Sequence, residues 1–212
     1  MVTSEAIWNF VDIYNNAIFP MQIVTLIVAI ILTCLLFAKP GVKINNLMKA
    51  YLAFTYAWIG VMFAIISVPP SLSPQFPILG IILIVIALLF AMDIFAGKTE
   101  FKLPDRGQRY FTLFLIGCAF ILYPLIGWII HHHSLMTMLL GVFPCPTTIF
   151  SIALLAGAIP KVDKKVFVLL LCVALSSGIF GPMMGIYVDF LLLVPGVYGL
   201  VMLVKNWGVI GK

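Results

Sequence analysis

Residues 78–92 read ILGIILIVIALLFAM, a stretch without any charged or strongly polar side chain. A half-buried strand alternates apolar and polar residues, and a strand of a membrane barrel does the same, so neither fits this stretch. An α-helix in an apolar medium does fit, because it satisfies its own backbone hydrogen bonds. The stretch therefore predicts a membrane-spanning helix.

The composition of the whole chain indicates the same environment. Of its 212 residues 64% are hydrophobic and 9% are charged, whereas roughly a quarter of the residues in soluble domains are charged. This balance excludes an intrinsically disordered chain, a nucleic-acid-binding protein and a secreted disulfide scaffold. The lipid bilayer is the expected partner. Since a span takes about 20 residues, the length leaves no room for a separate soluble domain beside a large bundle.

Breaks at charged residues or at proline and glycine divide the chain into apolar runs. The runs are 18–38, 47–68, 77–96, 109–130, 139–159, 166–180 and 183–204. They predict an all-α polytopic bundle of seven transmembrane helices within residues 18–205. The last division is the weakest, because only a short Gly-Pro segment separates the two final runs. A six-span bundle with a re-entrant segment over 166–180 is the alternative.

The basic residues predict the orientation of the bundle. All 12 lysines and arginines lie in alternate connections or in the tail: Lys39, Lys43, Lys49, Lys98, Lys102, Arg106, Arg109, Lys161, Lys164, Lys165, Lys205 and Lys212. Because cytoplasmic loops carry an excess of positive charge, we expect the amino terminus outside and the carboxyl terminus inside. Residues 206–212 would then form a short cytoplasmic tail. An even number of spans would put Lys205 and Lys212 on the wrong side, which favours seven.

Residues 1–17 precede the first run and have a helical apolar pattern. Ile7, Phe10, Val11 and Tyr14 recur at i, i+3, i+4 and i+7, which predicts an amphipathic helix on the outer interface of the membrane. Trp8 is expected to anchor it there. Acidic residues instead of a basic region precede the first run, so we do not expect a cleaved signal peptide.

The sequence contains no recognisable catalytic motif. The four cysteines lie in apolar runs without CxxC spacing, which argues against a disulfide framework or a zinc ribbon. A Walker A loop, a dinucleotide fingerprint, a GxSxG elbow and an HExxH helix are all missing, so no cofactor and no catalytic residue are predicted. An ATP-driven pump in one chain is excluded.

Two acidic residues lie inside apolar runs, where a charge is expensive. Asp93 is near the cytoplasmic end of the third run, a turn from Lys98, and is expected to pair or to snorkel. Asp189 lies roughly 9 Å inside the seventh run, with no basic residue near it in sequence. It is either a hydrogen-bonded structural acid or a site for a proton or a cation.

Several polar residues lie at a depth similar to that of Asp189 and could line a substrate or ion site with it. They are Gln22, Tyr123, Cys145, Thr147 and Thr148. Pro144 and Pro146 remove backbone donors on either side of Cys145, which predicts a broken helix with freed carbonyl groups. Such breaks line transporter sites, although a kink repaired by threonine hydroxyls alone is the alternative. Pro195 is expected to kink the seventh helix.

A histidine run at the outer rim offers metal ligands. His131, His132 and His133, with Cys145, combine imidazole and thiolate groups that suit Cu(I) or Zn. Consecutive histidines point in different directions, so an ordinary interfacial histidine run and a pH-sensitive rim are alternatives. The run is also the nearest source of a base for a nucleophilic Cys145.

The stretch 141–150, GVFPCPTTIF, together with the pairs Tyr14-Asn15 and Tyr123-Pro124, resembles a family of small bacterial multi-pass membrane proteins known only as a domain of unknown function. The resemblance covers nearly the whole chain. It implies a multi-span fold in a bacterial inner membrane and no established activity.

These observations favour a transporter or channel-like protein that does not use ATP and that moves a small solute, an ion or a proton. Its polar site would lie in the outer third of the bundle. The alternatives are a membrane-embedded sensor or partner subunit without transport, and an intramembrane enzyme with Cys145 as nucleophile. A homo-oligomer and a membrane protein partner both stay open.

The charge pattern makes a prediction about topology. In intact cells, an impermeant thiol reagent should label cysteines introduced at Ser73 and Ser134. Cysteines introduced at Thr99 and Asp163 should react only after the membrane is permeabilised. The opposite pattern would reverse the predicted orientation.

Overall fold

The computed structural model describes residues 4–69, 75–104, 106–131 and 136–210. Within these ranges the chain is helical, and its only β-type pairing is an isolated bridge between Leu140 and Phe143. The α-helices are α1 (Ser4–Ala17), α2 (Met21–Ala38), α3 (Val42–Trp58), α4 (Gln75–Ala96), α5 (Arg106–Gly117), α6 (Tyr123–His131), α7 (Pro144–Ala158), α8 (Lys164–Met183) and α9 (Leu193–Lys205). The prediction of an all-helical fold is confirmed.

Two long helices contain segments of π-helix. Helix α3 continues through the π-helical segment Ile59–Ile66, and α5 joins α6 through the π-helical segment Cys118–Leu122. The second segment ends two residues before Pro124, which has no N–H to bond to the carbonyl of residue 120. A wider turn accommodates that missing donor without breaking the helix.

Among the described residues, six segments are long and apolar enough to cross a membrane: Met21–Ala38, Val42–Ile66, Phe76–Ala96, Gly107–His131, Lys164–Met183 and Tyr187–Lys205. They correspond to six of the seven predicted runs. The two final runs form separate helices, joined by a turn at Gly185, which has a positive φ of 90°. Residues 164–183 form one continuous helix of 20 residues, which favours a full span over a re-entrant segment there.

The short apolar helix is instead α7, which has only 15 residues, all of them buried. Before it, the ring of Phe143 packs on Phe63, which in turn packs on Phe76 at the start of α4. After it, the backbone N–H of Asp163 donates to the hydroxyl of Thr99, just beyond the end of α4, at 3.1 Å. Helix α7 and its flanking residues therefore extend over the full length of α4 at the centre of the bundle.

Helices α3 and α4 are in close contact through two glycines. A Cβ atom placed on Gly60 would lie 2.8 Å from the carbonyl oxygen of Gly80, and a Cβ on Gly80 would lie equally close to the carbonyl of Gly60. Neither position leaves room for a side chain. Small residues allow this backbone approach, which in lipid replaces hydrophobic association as a source of helix packing.

Asp93, near the carboxyl-terminal end of α4, pairs with a residue other than its neighbour Lys98. Asp93 pairs with Lys49 of α3 at 3.3 Å, and both side chains are almost completely buried. The carboxylate of Asp93 also accepts hydrogen bonds from the backbone N–H groups of Lys98 and Thr99. The side chain of Lys98 pairs with Asp163 instead, at 3.2 Å. The prediction that Asp93 pairs is confirmed, but its partner is Lys49 and not the neighbouring Lys98 side chain, because packing of α3 on α4 brings a cation from another helix.

Helix α1 packs onto the bundle. Its apolar positions Ile7, Phe10, Val11 and Tyr14 are buried in the common core, and Phe10 and Tyr14 contact the ring of Phe63. Trp8 is also buried, with its ring 4.2 Å from that of His131. The amphipathic pattern of α1 is thus satisfied by protein.

Pro195 does not kink a regular helix. The segment Tyr187–Leu192 is a 3₁₀ helix, and Pro195 lies in the first turn of α9, which follows it. A proline costs little in a first turn, where an N–H has no regular helical partner. The expected hinge at Pro195 is therefore corrected to a junction between two types of helix at Leu192 and Leu193.

The buried ion pair makes a prediction about stability. Lys49→Ala leaves the carboxylate of Asp93 buried without its cation, which should lower the free energy of unfolding by about 3–5 kcal/mol. Lys98→Ala removes one partner of a half-exposed pair and should lower it by less than about 1 kcal/mol. Denaturation of the detergent-solubilised variants, followed by circular dichroism, measures both. Equal losses would show that burial of the Lys49 pair does not matter.

Candidate functional site

Asp189, Tyr123 and Cys145 meet in the interior of the bundle. The hydroxyl of Tyr123 donates to Oδ1 of Asp189 at 2.5 Å. The thiol of Cys145 lies beside both Asp189 and Tyr123. All three side chains are buried, with Asp189 only 3% exposed. These three residues are called the Asp189 cluster below.

Each member of the Asp189 cluster lies where a helix departs from regular geometry. Tyr123 follows the π-helical segment Cys118–Leu122, and Cys145 is in the first turn of α7. Asp189 lies in the 3₁₀ helix Tyr187–Leu192. Along α6, Tyr123 is about 12 Å of helix rise from the outer end at His131.

Gly181 of α8 makes room for the carboxyl group of Asp189. A Cβ atom on Gly181 would overlap the Asp189 side chain, so only glycine allows the 3₁₀ helix to pack against α8 at this point. The close approach brings Asp189 against the backbone of α8. The position of the acid thus depends on a residue of another helix.

Asp189 has no ion-pair partner among the described residues. The ion pairs there join Lys49 to Asp93, Lys98 to Asp163 and Lys161 to Glu100. These pairs lie at the end of the bundle where α4 ends. The carboxyl group of Asp189 is held only by neutral donors, which leaves it without a compensating charge.

A cavity of about 460 Å³ adjoins the cluster, within the size range of small-molecule sites. Asp189 and Cys145 form part of its wall. The rest of the wall comes mainly from α4 and α8, with Phe63, the start of α7 and the turn after α8. It is mostly apolar: Phe76, Ile78, Leu79, Ile82, Phe143, Pro144, Leu169, Cys172, Val173, Ser176, Ser177, Phe180, Gly181, Met184 and Ile186.

The contribution of α8 to the cavity is one continuous helical face. Leu169, Cys172, Val173, Ser176 and Phe180 follow the i, i+3, i+4, i+7 and i+11 spacing of residues that share a face. From Leu169 to Gly181 this face is about 18 Å long. The cavity is therefore elongated along α8, with the Asp189 cluster near the Gly181 end.

The Pro-Cys-Pro segment begins a helix and does not break one. Phe143 is extended, with φ −117° and ψ 136°, and Pro144 is the first residue of α7. Pro144 and Pro146 both lie in the first turn, where their missing N–H groups have no helical acceptor in any case. The expected kink within a span is therefore corrected to a helix start.

Thr147 connects α7 to the irregular segment before it. Its hydroxyl accepts from the N–H of Gly141 at 2.9 Å and donates to the carbonyl of Phe143 at 2.7 Å. The predicted repair of the backbone by a threonine hydroxyl thus occurs at Thr147. The hydroxyl of Thr148 lies beside Tyr56 without a well-formed hydrogen bond.

Gln22 lies apart from the Asp189 cluster. Its side-chain amide donates to the carbonyl of Asn15 at 2.9 Å, at the junction of α1 and α2, and it does not line the cavity. The structure therefore brings together Tyr123, Cys145 and Asp189 from the predicted site. Gln22, Thr147 and Thr148 have other surroundings.

The metal hypothesis for the histidine run stays a prediction, since His132 and His133 lie outside the described residues. His131 contacts the rings of Trp8 and Tyr187 near the outer end of α6. Cys145 lies at the level of Tyr123, which is about 12 Å of helix rise from His131. Among the described residues no group of three His, Cys, Asp or Glu side chains could hold a metal ion.

The separation of His131 from Cys145 also argues against the alternative of an intramembrane enzyme. Beside the Cys145 thiol lie a carboxyl and a phenol, those of Asp189 and Tyr123. Neither is the nitrogen base that a nucleophilic cysteine commonly uses. The described surroundings of Cys145 therefore give no support to acyl transfer.

Sequence reasoning did not identify most of the cavity wall. The face of α8 from Leu169 to Phe180 has a detectable signal, since Cys172, Ser176 and Ser177 are small or polar residues at helical spacing within an apolar run. The aromatic wall formed by Phe63, Phe76 and Phe143 has no such signal. Phenylalanine is common in any apolar helix.

Together these features define an all-helical protein with six helices long enough to cross a membrane and a cavity bordered by a buried acid. A family model described as "Family of unknown function (DUF6064)" matches residues 4–210, so the chain belongs to that family. The expected membership of a family of unknown function is thereby confirmed. No curated protein and no solved structure matches the chain.

The two threonines of α7 make a matched test of how its first turn is held. Thr147→Val removes the acceptor of the Gly141 N–H and a donor to Phe143, so it should lower the free energy of unfolding by about 1–3 kcal/mol. Thr148→Val, with the same change of shape, should have a smaller effect. Thermal unfolding in detergent compares the variants. A larger effect of Thr148→Val would contradict this assignment.

Proposed function

We propose that the protein is a membrane transporter that does not use ATP and that carries a small solute through the cavity beside the Asp189 cluster. One observation carries the proposal. Asp189 is a buried acid without a charged partner in the described structure, and it forms part of a cavity wall. An acid that serves only structure is expected to be fully enclosed by its partners, whereas a binding group has to face open space.

Seven crossings are part of this proposal, and the contacts of α7 support the seventh. A helix of 15 residues rises about 22 Å, less than the hydrocarbon thickness of about 30 Å. The buried turns before it and the extended residue Phe143 add further length. Irregular backbone at that depth is tolerated where protein encloses it, as it does here.

The orientation is likewise proposed, with the amino terminus outside. Lys49, Lys98 and Lys161 all engage partners at the end of the bundle where α4 ends, so the basic residues gather at one end. Thr99 and Asp163 are buried and hydrogen-bonded there, which makes them poor sites for thiol labelling. The exposed positions Lys102 and Lys161 are better sites for the cytoplasmic side.

Contacts at both ends of the bundle favour a carrier over an open channel. At one end, the side chain of Asn45 exchanges two hydrogen bonds with the backbone of Phe101, which holds the connection 97–104 against the helices. At the other end, the hydroxyl of Tyr14 donates to the carbonyl of Val142, which holds α1 in place. For a solute to pass, either the connection 97–104 or α1 would have to move, as alternating access requires.

The experiment is a flux assay with a variant of Asp189. Proteoliposomes containing a pH-sensitive dye are given an inward potential, and proton entry is recorded with and without a panel of small organic cations and neutral solutes. We expect at least one solute to change the proton flux in the unmodified protein. Asp189→Asn keeps the size of the side chain but removes the ionisable group, so it should abolish that change.

Glu100→Gln is the matched control, because Glu100 is an exposed acid at the opposite end of the bundle. It should leave the flux intact. Thermal unfolding of each variant shows whether loss of flux reflects loss of folding. Equal flux in the Asp189→Asn variant and the unmodified protein would refute the proposal. Binding of a solute without any flux would favour the alternative of a membrane-embedded sensor.

A further inference from the structure

The cavity opens on the side of the bundle, between α4 and α8. Several residues of its wall also have exposed side chains: Ile78 of α4 and Cys172, Ser176 and Phe180 of α8. Next to the opening, the outer surfaces of both helices are apolar and exposed, as at Ile81 and Ile179. In a bilayer these surfaces face hydrocarbon, so the opening leads to lipid.

Among the described residues, the wall contains one acidic residue and no basic one. A head group with negative charge would lie beside Asp189 without a cation to compensate it, which is unfavourable in a low dielectric. A head group that donates hydrogen bonds finds an acceptor there. Since a carboxylate offers about four acceptor positions and the hydroxyl of Tyr123 uses one of them, Asp189 can accept more.

We infer that the cavity binds a single-chain amphiphile with an amine head group, which enters sideways from the lipid and donates hydrogen bonds to Asp189. This inference rests on the proposed function, because it takes the cavity as the substrate site. The ammonium group supplies the positive charge that the buried acid lacks. The tail lies along the face of α8 from Ser177 towards Leu169, over a length of about 12 Å.

The head group decides selectivity in this arrangement. A tail that moves from lipid into an apolar groove exchanges one apolar surrounding for another and gains little free energy. A charge-assisted hydrogen bond to a buried carboxylate is lost entirely when the head group changes sign. The site should therefore discriminate between amphiphiles of equal tail length by the charge of the head group.

The test uses two photoreactive probes with the same diazirine-bearing alkyl tail, one ending in a primary amine and the other in a carboxylic acid. The protein is reconstituted in vesicles of zwitterionic lipid, irradiated with each probe and digested. Mass spectrometry then compares adducts on Leu169, Cys172 and Ser176 with adducts on Ile27 and Ile31. The last two are exposed on α2 and serve as the reference for labelling from bulk lipid.

We expect the ratio of α8 to α2 adducts to be about tenfold higher for the amine than for the acid, equivalent to about 1.4 kcal/mol. Asp189→Asn should reduce the amine ratio to that of the acid. Ser177→Phe places a large side chain in the cavity, so it should reduce the amine ratio although Asp189 is unchanged. Ile179→Phe, on the exposed surface of the same helix and outside the cavity wall, should leave it unchanged.

Equal ratios for the two probes would overturn the inference, and so would amine labelling that survives both Asp189→Asn and Ser177→Phe. The outcome is separable from that of the flux assay. Selective amine labelling without flux would reject transport and keep the binding site. Flux with another solute but no selective labelling would keep transport and reject the amphiphile.

Discussion

The burial of α7 is the constraint on which the rest of the structure depends. A helix with all 15 residues enclosed by protein offers no water to the backbone that leads into it, so every polar group of that segment needs an internal partner. Thr147 supplies two such bonds, to Gly141 and to Phe143, and Tyr14 of α1 supplies a third, to Val142. These bonds set the position of the first turn of α7, and with it the position of Cys145.

The Asp189 cluster arises where three irregular elements face one another. A π-helical segment before Tyr123, a helix start at Cys145 and a 3₁₀ helix at Asp189 each turn a polar side chain inward at nearly the same level. Regular α-helices would have packed through apolar faces there. The departures from regular geometry are thus what creates a polar site inside an apolar bundle, and π-helical turns are frequent at functional sites.

Asp93 and Asp189 are both buried acids, and they differ in how the cost of a buried charge is met. Asp93 is neutralised by Lys49 and accepts backbone hydrogen bonds, so it joins α3 to α4 and has a structural role. Asp189 is held by neutral groups and forms part of a cavity wall, so its charge is uncompensated within the described residues. That difference distinguishes a structural acid from a candidate binding group. The sequence predicted the contrast, and the structure identified Lys49 as the partner of Asp93.

The sequence by itself determined the helical class of this protein and six of its long apolar helices, because apolar length is a property of consecutive residues and needs no partner. It also identified Tyr123, Cys145 and Asp189 as candidates, since counting residues from the end of a run estimates depth. Depth does not specify which way a helix faces. Only the tertiary structure decided that Gln22 contacts Asn15 and lies away from the cavity, that Lys49 meets Asp93, and that α8 lines the cavity. The rotation of each helix is set by its packing against neighbours, through contacts such as Gly60 with Gly80 and Gly181 with Asp189, and those contacts join residues far apart in the chain.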